Sequence, residues 1–435
     1  MKQLIWAYNW IGPLGPLNNH KIPDIYDLAK RIDDIDVKFS DATMEHDPAV
    51  MEIGNFVPCK IIPSSEIKDI GDRKFFYEVI LSPNLNYMSI TMDQFCGFLQ
   101  RTPIPGEVWD RIYNGNGYLF VNCRYESFVT HRDFQTLHDY FNSQGVPLNK
   151  VIYATNCANI QTIYDKYCLQ AGVGKDKLNV EYMGLYIQIT KDILRDEVYE
   201  SRVDLGKQDR LFLNFNRRSH EHRMLLLLQM IKNDMLDDCH MSFDRHGGVN
   251  RPFEHFIYDF ERTSSKYNLG FEREDFENLW DDLPFVLDSK HFDRFPVEEH
   301  LMDTAEWYDR TYIHLASETN FENNVIHLTE KTMKPIIFKQ PFIIVGPAFT
   351  LQYLKKLGFK TFDNWWDESY DEILNAKDRM EAIIKVCKDI KSWPEQKLKQ
   401  LYTQTHEIRE YNIQHFKNLK PVELLDLVEK YGADI

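Results

Sequence analysis

The chain has 435 residues, too many for one ordinary hydrophobic core and suited to two domains. Its net charge of −16 argues against a protein that coats nucleic acid nonspecifically, because phosphate contacts need clustered lysine and arginine. With 43% apolar and 14% aromatic residues there is material for well-filled cores, and no apolar run reaches the roughly eighteen residues of a membrane span.

The first residues, MKQLIWAYNW, carry one lysine, a short interrupted apolar run and no small-residue cleavage site. They read as a first β-strand rather than a signal peptide, and a cytoplasmic location is expected, the host cytoplasm if the protein is viral. A turn-rich loop follows, GPLGPLNNHKIP, and a helix opens at Pro23 and Asp24. FFYEVILS reads as a strand, MSITMDQFCGFL as a helix and GYLFVNCRYESF as a clear strand. Helix RDFQTLHDYFNSQG, strand KVIYATNCANI and helix QTIYDKYCLQAG complete a strand–helix alternation that argues for a parallel sheet. An irregular connector, 189–209, leads out of this half. The domains are therefore expected at 1–205 and 206–390, with C-terminal helices over 391–435 that cross back to the first domain.

The second half opens with RLFLNFNRRSHEHRMLLLLQMI, a buried strand, a basic loop and a helix. Asn216, Arg217, Arg218 and Arg223 sit at that turn. Guanidinium groups beside a helix start suit a diphosphate, through bidentate contacts and free N–H groups. An acidic, aromatic stretch, 271–292, reads as a surface helix and an extended segment. Strand TYIHLAS then leads through a polar loop to a helix opening near Thr329, and PFIIVG forms the next strand. Glu318, Asn320, Thr329, Glu330 and Lys331 thus gather beyond the carboxyl end of a strand, where open α/β sheets bind ligands. Thr329 is a candidate N-cap, the helix start attracts phosphate, Lys331 adds a mobile cation, and Glu330 offers an acceptor for ribose hydroxyls. Helix LQYLKKLG ends at Gly358, KTFDNWW is a strand or loop, and Ser392 to Glu395 reads as a capping box opening a long helix through Phe416. PVELLDLVEKYG is a last helix.

Residues 322–331 resemble the donor-binding motif of inverting fucosyltransferases and exostosin-like glycosyltransferases. Glu322, Asn323 and Asn324 stand where that family has an E-N-S run, and Thr329-Glu330-Lys331 matches its T-E-K. Asn324 replaces the family serine, and His327-Leu328 replaces a tyrosine–valine pair. The basic turn after LFLNF and the segment through 358–372 also resemble glycosyltransferase-like proteins of large tailed phages and marine viruses. The resemblance covers the second half well and the first half faintly.

The resemblance implies an α/β GT-B fold, with two Rossmann-like domains facing a central cleft. It implies a glycosyltransferase that moves a sugar from a UDP- or GDP-linked donor to a hydroxyl acceptor, metal-independent, inverting, and with no other cofactor. Arg217, Arg218, Arg223 and Lys331 would neutralise the leaving diphosphate, Glu330 would bind the ribose or sugar, and Glu318 and Asn320 would orient the donor. The acceptor is a hydroxylated or hydroxymethylated pyrimidine in phage DNA, or alternatively a polysaccharide or other glycan. A further alternative is a non-catalytic nucleotide-sugar or glycan-binding protein. An inverting transfer needs a general base, for which Glu126 is the first candidate and His20 and Asp24 the next. Asp34-Ile35-Asp36 has the letters of a metal-binding D-x-D but reads as the acidic, solvated end of the first helix. The seven scattered cysteines hold no C-x-x-C pair, so they suggest buried thiols rather than a zinc or redox site.

Overall fold

The computed structural model describes residues 4–9, 59–63, 75–80, 106–115, 117–123, 129–184, 207–216, 219–243, 252–283, 304–419 and 430–431, with single positions at 92, 96, 104, 187, 285 and 287. The chain divides into two compact units, 1–185 with 420–435, and 186–419. The expected boundary at 205 falls outside the described residues.

The first unit is α/β. Its strands are β1 (Leu4–Asn9), β2 (Cys59–Pro63), β3 (Phe75–Ile80), β4 (Gly117–Cys123), β5 (Val151–Thr155) and β6 (Asn179–Tyr182). They form one parallel sheet in the order β2-β1-β3-β4-β5-β6. Helices α1 (Gly106–Tyr113), α2 (His131–Ser143) and α3 (Ile160–Ala171) alternate with the later strands. VIYAT of β5 is buried at every position, as expected of a strand covered on both faces. β2 and β6 escaped the sequence reading because CKIIP and NVEY are short and interrupted by charge. Thr130 caps α2, with Asp133 completing a reciprocal capping box. Residues 420–435 belong to this unit, where Lys430 Nζ lies 2.6 Å from Glu181 and Tyr431 packs edge-on against Tyr118.

The second unit is also α/β. It runs β7 (Arg210–Asn216), α4 (Glu221–Lys232), β8 (Cys239–Phe243), α5 (Phe253–Tyr267), α6 (Arg273–Asp282), α7 (Ala305–Asp309), β9 (Thr311–Ser317), α8 (Glu330–Ile337) and β10 (Phe342–Val345). Four helices follow: α9 (Thr350–Lys356), α10 (Ala376–Lys391), α11 (Glu395–Gln404) and α12 (His406–Asn418). The parallel sheet has the order β10-β9-β7-β8. Beyond β7 the chain first adds β8 on one side, then β9 and β10 on the other. The carboxyl ends of β7 and β9 therefore flank a topological switch point, the crevice where open α/β sheets bind ligands. Nine of the twelve residues of α4 are buried, and the helix is packed by both α5 and α10. A helix apolar nearly all round needs cover on two sides.

Two local expectations change. Ser392 does not open a helix: it is the C-cap of α10, and its hydroxyl donates to Asp389 O at 2.6 Å. The next helix starts at Glu395 after Pro394, without a side-chain cap, and breaks at Thr405 instead of running through to Phe416. Of the two readings of KTFDNWW, strand or loop, residues 360–366 take the loop, with a turn. Gly358 does follow the end of α9, at φ +96°, with His415 so close that a Cβ would lie 2.8 Å from its ring. Cys96, Cys123, Cys157, Cys168, Cys239 and Cys387 are buried free thiols. Trp280 of the acidic aromatic stretch docks on Phe253 and Phe256 of α5, within its own unit. Among the described residues no helix is long and apolar enough to cross a membrane.

Candidate functional site

The two motifs of the second half meet at the switch point. His222, in the first turn of α4, donates from Nε2 to Glu318 O at 2.9 Å, just beyond β9. Burial, reinforced by Arg223 and His220, pushes the His222 imidazole well below its usual value, so it is neutral with its proton on Nε2. Buried Arg223 places a guanidinium nitrogen 3.4 Å from the same carbonyl. Lower in the sheet, Asn214 Nδ2 crosses from β7 to Leu315 O at 2.6 Å and Ser317 Oγ at 3.0 Å. A hundred residues of sequence separate the motifs, and adjacent parallel strands close that gap.

Glu318 is fully buried. Its Oε1 accepts from Thr329 N at 3.1 Å and from the Thr332 hydroxyl. Its Oε2 accepts from Thr329 Oγ1 at 2.7 Å and Thr319 N at 3.2 Å. The carboxylate thus latches the end of β9 to the start of α8, and its oxygens face the chain itself. Thr329 is the N-cap of α8, accepting from Lys331 N at 3.3 Å. At the start of α8 the expected free N–H groups are in part engaged with the chain: Thr329 N goes to the Glu318 carboxylate, which also takes the Thr332 hydroxyl, and Lys331 N goes to Thr329 Oγ1. The next helix start along the chain is engaged likewise. Asp371 carboxylate oxygens accept from Leu351 N and Gln352 N at 2.9 Å each, in the first turn of α9.

Glu330 and Lys331 form the accessible rim. Lys331 Nζ donates to Glu330 Oε1 at 2.6 Å and to Thr329 Oγ1 at 3.3 Å, with side chains 25% and 21% exposed for Lys331 and Glu330. Burial acts to raise the Glu330 pKa, but the Lys331 charge and hydrogen bond, with Lys334 beyond, outweigh it and hold the carboxyl at about 2. A depressed folded value contributes stability that is complete above the ordinary value of 4.5 and is lost as pH falls through about 2. Lys331→Met is therefore expected to lower urea stability at neutral pH, with the difference from wild type shrinking between about pH 4.5 and pH 2. A pH-independent difference would contradict the pairing. Asn320, two residues after Glu318, is half-buried, and among the described residues its Nδ2 has no hydrogen-bond partner.

The start of α4 differs from that of α8 in having no side-chain cap at its N-cap, His220. Asn216, buried at the end of β7, donates from its backbone to Ser242 Oγ at 3.1 Å and from Nδ2 to Asn214 Oδ1, while its own Oδ1 finds no partner among the described residues. At the outer edge, Tyr267 OH donates toward both Glu221 Oε1 at 3.1 Å and Glu322 Oε1 at 2.7 Å, and Lys266 Nζ bridges the same two carboxylates. This four-residue tie joins the α4 start to the 318–329 loop a second time. Arg217 and Arg218 lie outside the described residues, as do Glu126, His20, Asp24, Asp34 and Asp36.

Sequence reasoning missed Phe321 and Arg379. Phe321 stacks on His222, with ring centroids 5.6 Å apart at 15°, and the Arg379 guanidinium lies 4.4 Å from the same ring. Arg379 had one legible signal: it stands on the apolar stripe of α10 with Ile383, Val386 and Ile390. Four of the lysines that follow Lys331 are engaged within the unit. Lys339 pairs with Glu410, Lys355 with Asp363 and Glu368, and Lys334 and Lys360 lie over the rings of Phe215 and Tyr411.

No protein-family model matches the sequence, and no curated protein matches it. Among solved structures, the chain is similar to a glycosyltransferase from Rickettsia africae ESF-5, at 11% identity and a TM-score of 0.42, covering 99% of this chain and 98% of that one. It is similar to an alpha,alpha-trehalose 6-phosphate synthase from Burkholderia multivorans at 8% identity and a TM-score of 0.45, covering 100% of this chain and 98% of that one. A second trehalose-6-phosphate synthase shares 9% identity at a TM-score of 0.43, with 96% of this chain and 97% of that one covered.

Proposed function

We propose that the chain is a glycosyltransferase of the two-domain GT-B class that takes a UDP- or GDP-linked sugar and transfers it to a hydroxyl acceptor with inversion and without a metal. The observation that carries this reading is the convergence of the two motifs on Glu318 O at the switch point of the second unit. The uncapped start of α4, preceded in sequence by Arg217 and Arg218, supplies N–H groups and guanidinium groups for a diphosphate. Lys331 adds a reachable cation, and Glu330, held ionised, adds an acceptor for ribose or sugar hydroxyls. Asn320 Nδ2 is a donor with no bond to give up among the described residues. Glu318 acts on the donor indirectly, by holding the loop and the helix start.

In the transfer, the acceptor oxygen attacks the anomeric carbon as the bond to the diphosphate oxygen breaks. The acceptor proton passes to a general base, with Glu126 the first candidate and His20 and Asp24 the alternatives. Charge builds on the leaving diphosphate, where the cations stabilise it. The acceptor is a hydroxymethylated pyrimidine or a glycan.

The test is nucleotide release from a panel of UDP- and GDP-sugars with each acceptor class. Turnover is expected with one donor, and Glu126→Gln is expected to slow it about 10²–10⁴-fold while nucleotide binding persists. Binding without turnover for any donor would favour a non-catalytic nucleotide-sugar binder. Turnover unchanged in Glu126→Gln, His20→Ala and Asp24→Ala alike would remove all three base assignments.

A further inference from the structure

Arg379 is a buried cation with an unusual set of partners. It is 1% exposed and ranks among the largest fully buried side chains. Its Nε donates to Gly346 O at 3.0 Å, Nη1 to Leu374 O at 3.2 Å and also to Ile373 O, and Nη2 to Phe321 O. Those carbonyls belong to the turn after β10, the segment entering α10 and the loop after β9. It forms no ion pair among the described residues. Taking a guanidinium out of water is costly even when its donors are satisfied, and Asp371, the carboxylate whose charge acts on it, is not an ion-pair partner. A hydrophobic residue would fill the space more cheaply, so the planar fork is there for what it holds together. Only a guanidinium offers donors in enough fixed directions to reach three separate segments at once.

The ring of Phe321 extends this connection to the other motif. The guanidinium packs on Phe321, and Phe321 stacks on His222, whose Nε2 is bonded to Glu318 O. We infer that Arg379 is a positioning residue for the nucleotide site: through the carbonyl and ring of Phe321 it locks the 318–329 loop to the start of α4, so that the two halves of the site keep one geometry. The consequence for a ligand rests on the proposed function, whereas the mechanical coupling does not. Arg409 supplies a matched control. It is another buried arginine bonded to carbonyls, Lys339 O at 2.8 Å and Tyr402 O at 2.6 Å, and stacked on Tyr402, but its partners lie away from the 318–329 loop.

The experiment compares the full chain carrying Arg379→Lys, Phe321→Leu or Arg409→Lys by amide hydrogen exchange, melting temperature, and UDP and GDP affinity. Arg379→Lys is expected to speed exchange about tenfold or more in both 318–329 and 219–224, with β7 and β9 unchanged, and to weaken nucleotide binding about tenfold. Arg409→Lys is expected to lower the melting temperature by a similar amount with neither effect. Should Arg379→Lys fail to fold, Phe321→Leu keeps the guanidinium, removes only the stack and carries the same two-segment expectation. Exchange that rises evenly through the second unit, or that leaves 219–224 protected, would overturn the inference. If the wild-type chain binds neither UDP nor GDP, the proposed function fails while the exchange result still decides the role of Arg379.

Discussion

Glu318→Ala is expected to destabilise the second unit by about 3–5 kcal/mol, because removing a fully buried acceptor strands several donors at once. Thr329 N and Thr319 N would lose their partner, and the Thr329 and Thr332 hydroxyls would have to turn elsewhere. Water cannot repair the loss cheaply, since Glu318, Thr329 and Thr332 are all buried. Glu318→Gln keeps the volume and one oxygen but turns the other terminus into a donor facing donors. It is expected to recover no more than about half of the loss. Urea unfolding of the full chain, followed by a probe in the second unit, checks both. A loss below about 1 kcal/mol for Glu318→Ala would mean that the latch is replaced by another acceptor and that α8 does not depend on it.

The second large effect concerns binding. Lys331→Ala is expected to weaken nucleotide diphosphate binding about 10–100-fold, or about 1.4–2.7 kcal/mol, the scale of one charge-assisted contact to an anionic oxygen. Lys331 is suited to this role because its stem is held at the helix start while a quarter of the side chain stays exposed. The Glu330 partner does not remove the cation; it keeps Nζ at the rim, from which a diphosphate with more charge can recruit it. Glu330→Gln separates the two roles. It should leave diphosphate affinity equal or tighter, since a competing carboxylate is gone, while weakening the binding of an intact nucleoside diphosphate relative to inorganic pyrophosphate. Titration calorimetry with UDP, GDP and pyrophosphate distinguishes them. Equal affinity for all three ligands in wild type and Lys331→Ala would take Lys331 out of the site.

Much of the framework was legible because parallel strands announce themselves. LFLNF, TYIHLAS and FIIV are near-continuous apolar runs, and a strand buried on both faces must be. Thr329 was legible because cap chemistry is local: a hydroxyl one residue before a helix reaches an N–H in its first turn. The role of Glu318 was not. Its partners lie eleven and fourteen positions away, and sequence cannot tell a carboxylate that faces a ligand from one turned into its own chain. Arg379 was further out of reach, meeting Phe321 across fifty-eight positions. Ser392 was misread for a simpler reason. The S-x-x-E pattern fits an opening box, but the preceding helix runs to Lys391 and takes the serine as its end.

Glu318, which looked available in sequence, is engaged with the chain, whereas the Glu330–Lys331 pair keeps part of both side chains exposed. On the proposed function a ligand would engage both motifs, and both should then contribute to one affinity.

Thermal stabilisation by UDP, GDP and their sugar conjugates, measured in EDTA on wild type, Arg218→Ala and Lys331→Ala, tests that claim most directly. The prediction is a clear rise in melting temperature with one nucleotide in wild type, lost or strongly reduced in both variants. A rise abolished by one variant and untouched by the other would mean that the motifs do not form a single site. No rise with any nucleotide would contradict the nucleotide-sugar reading itself.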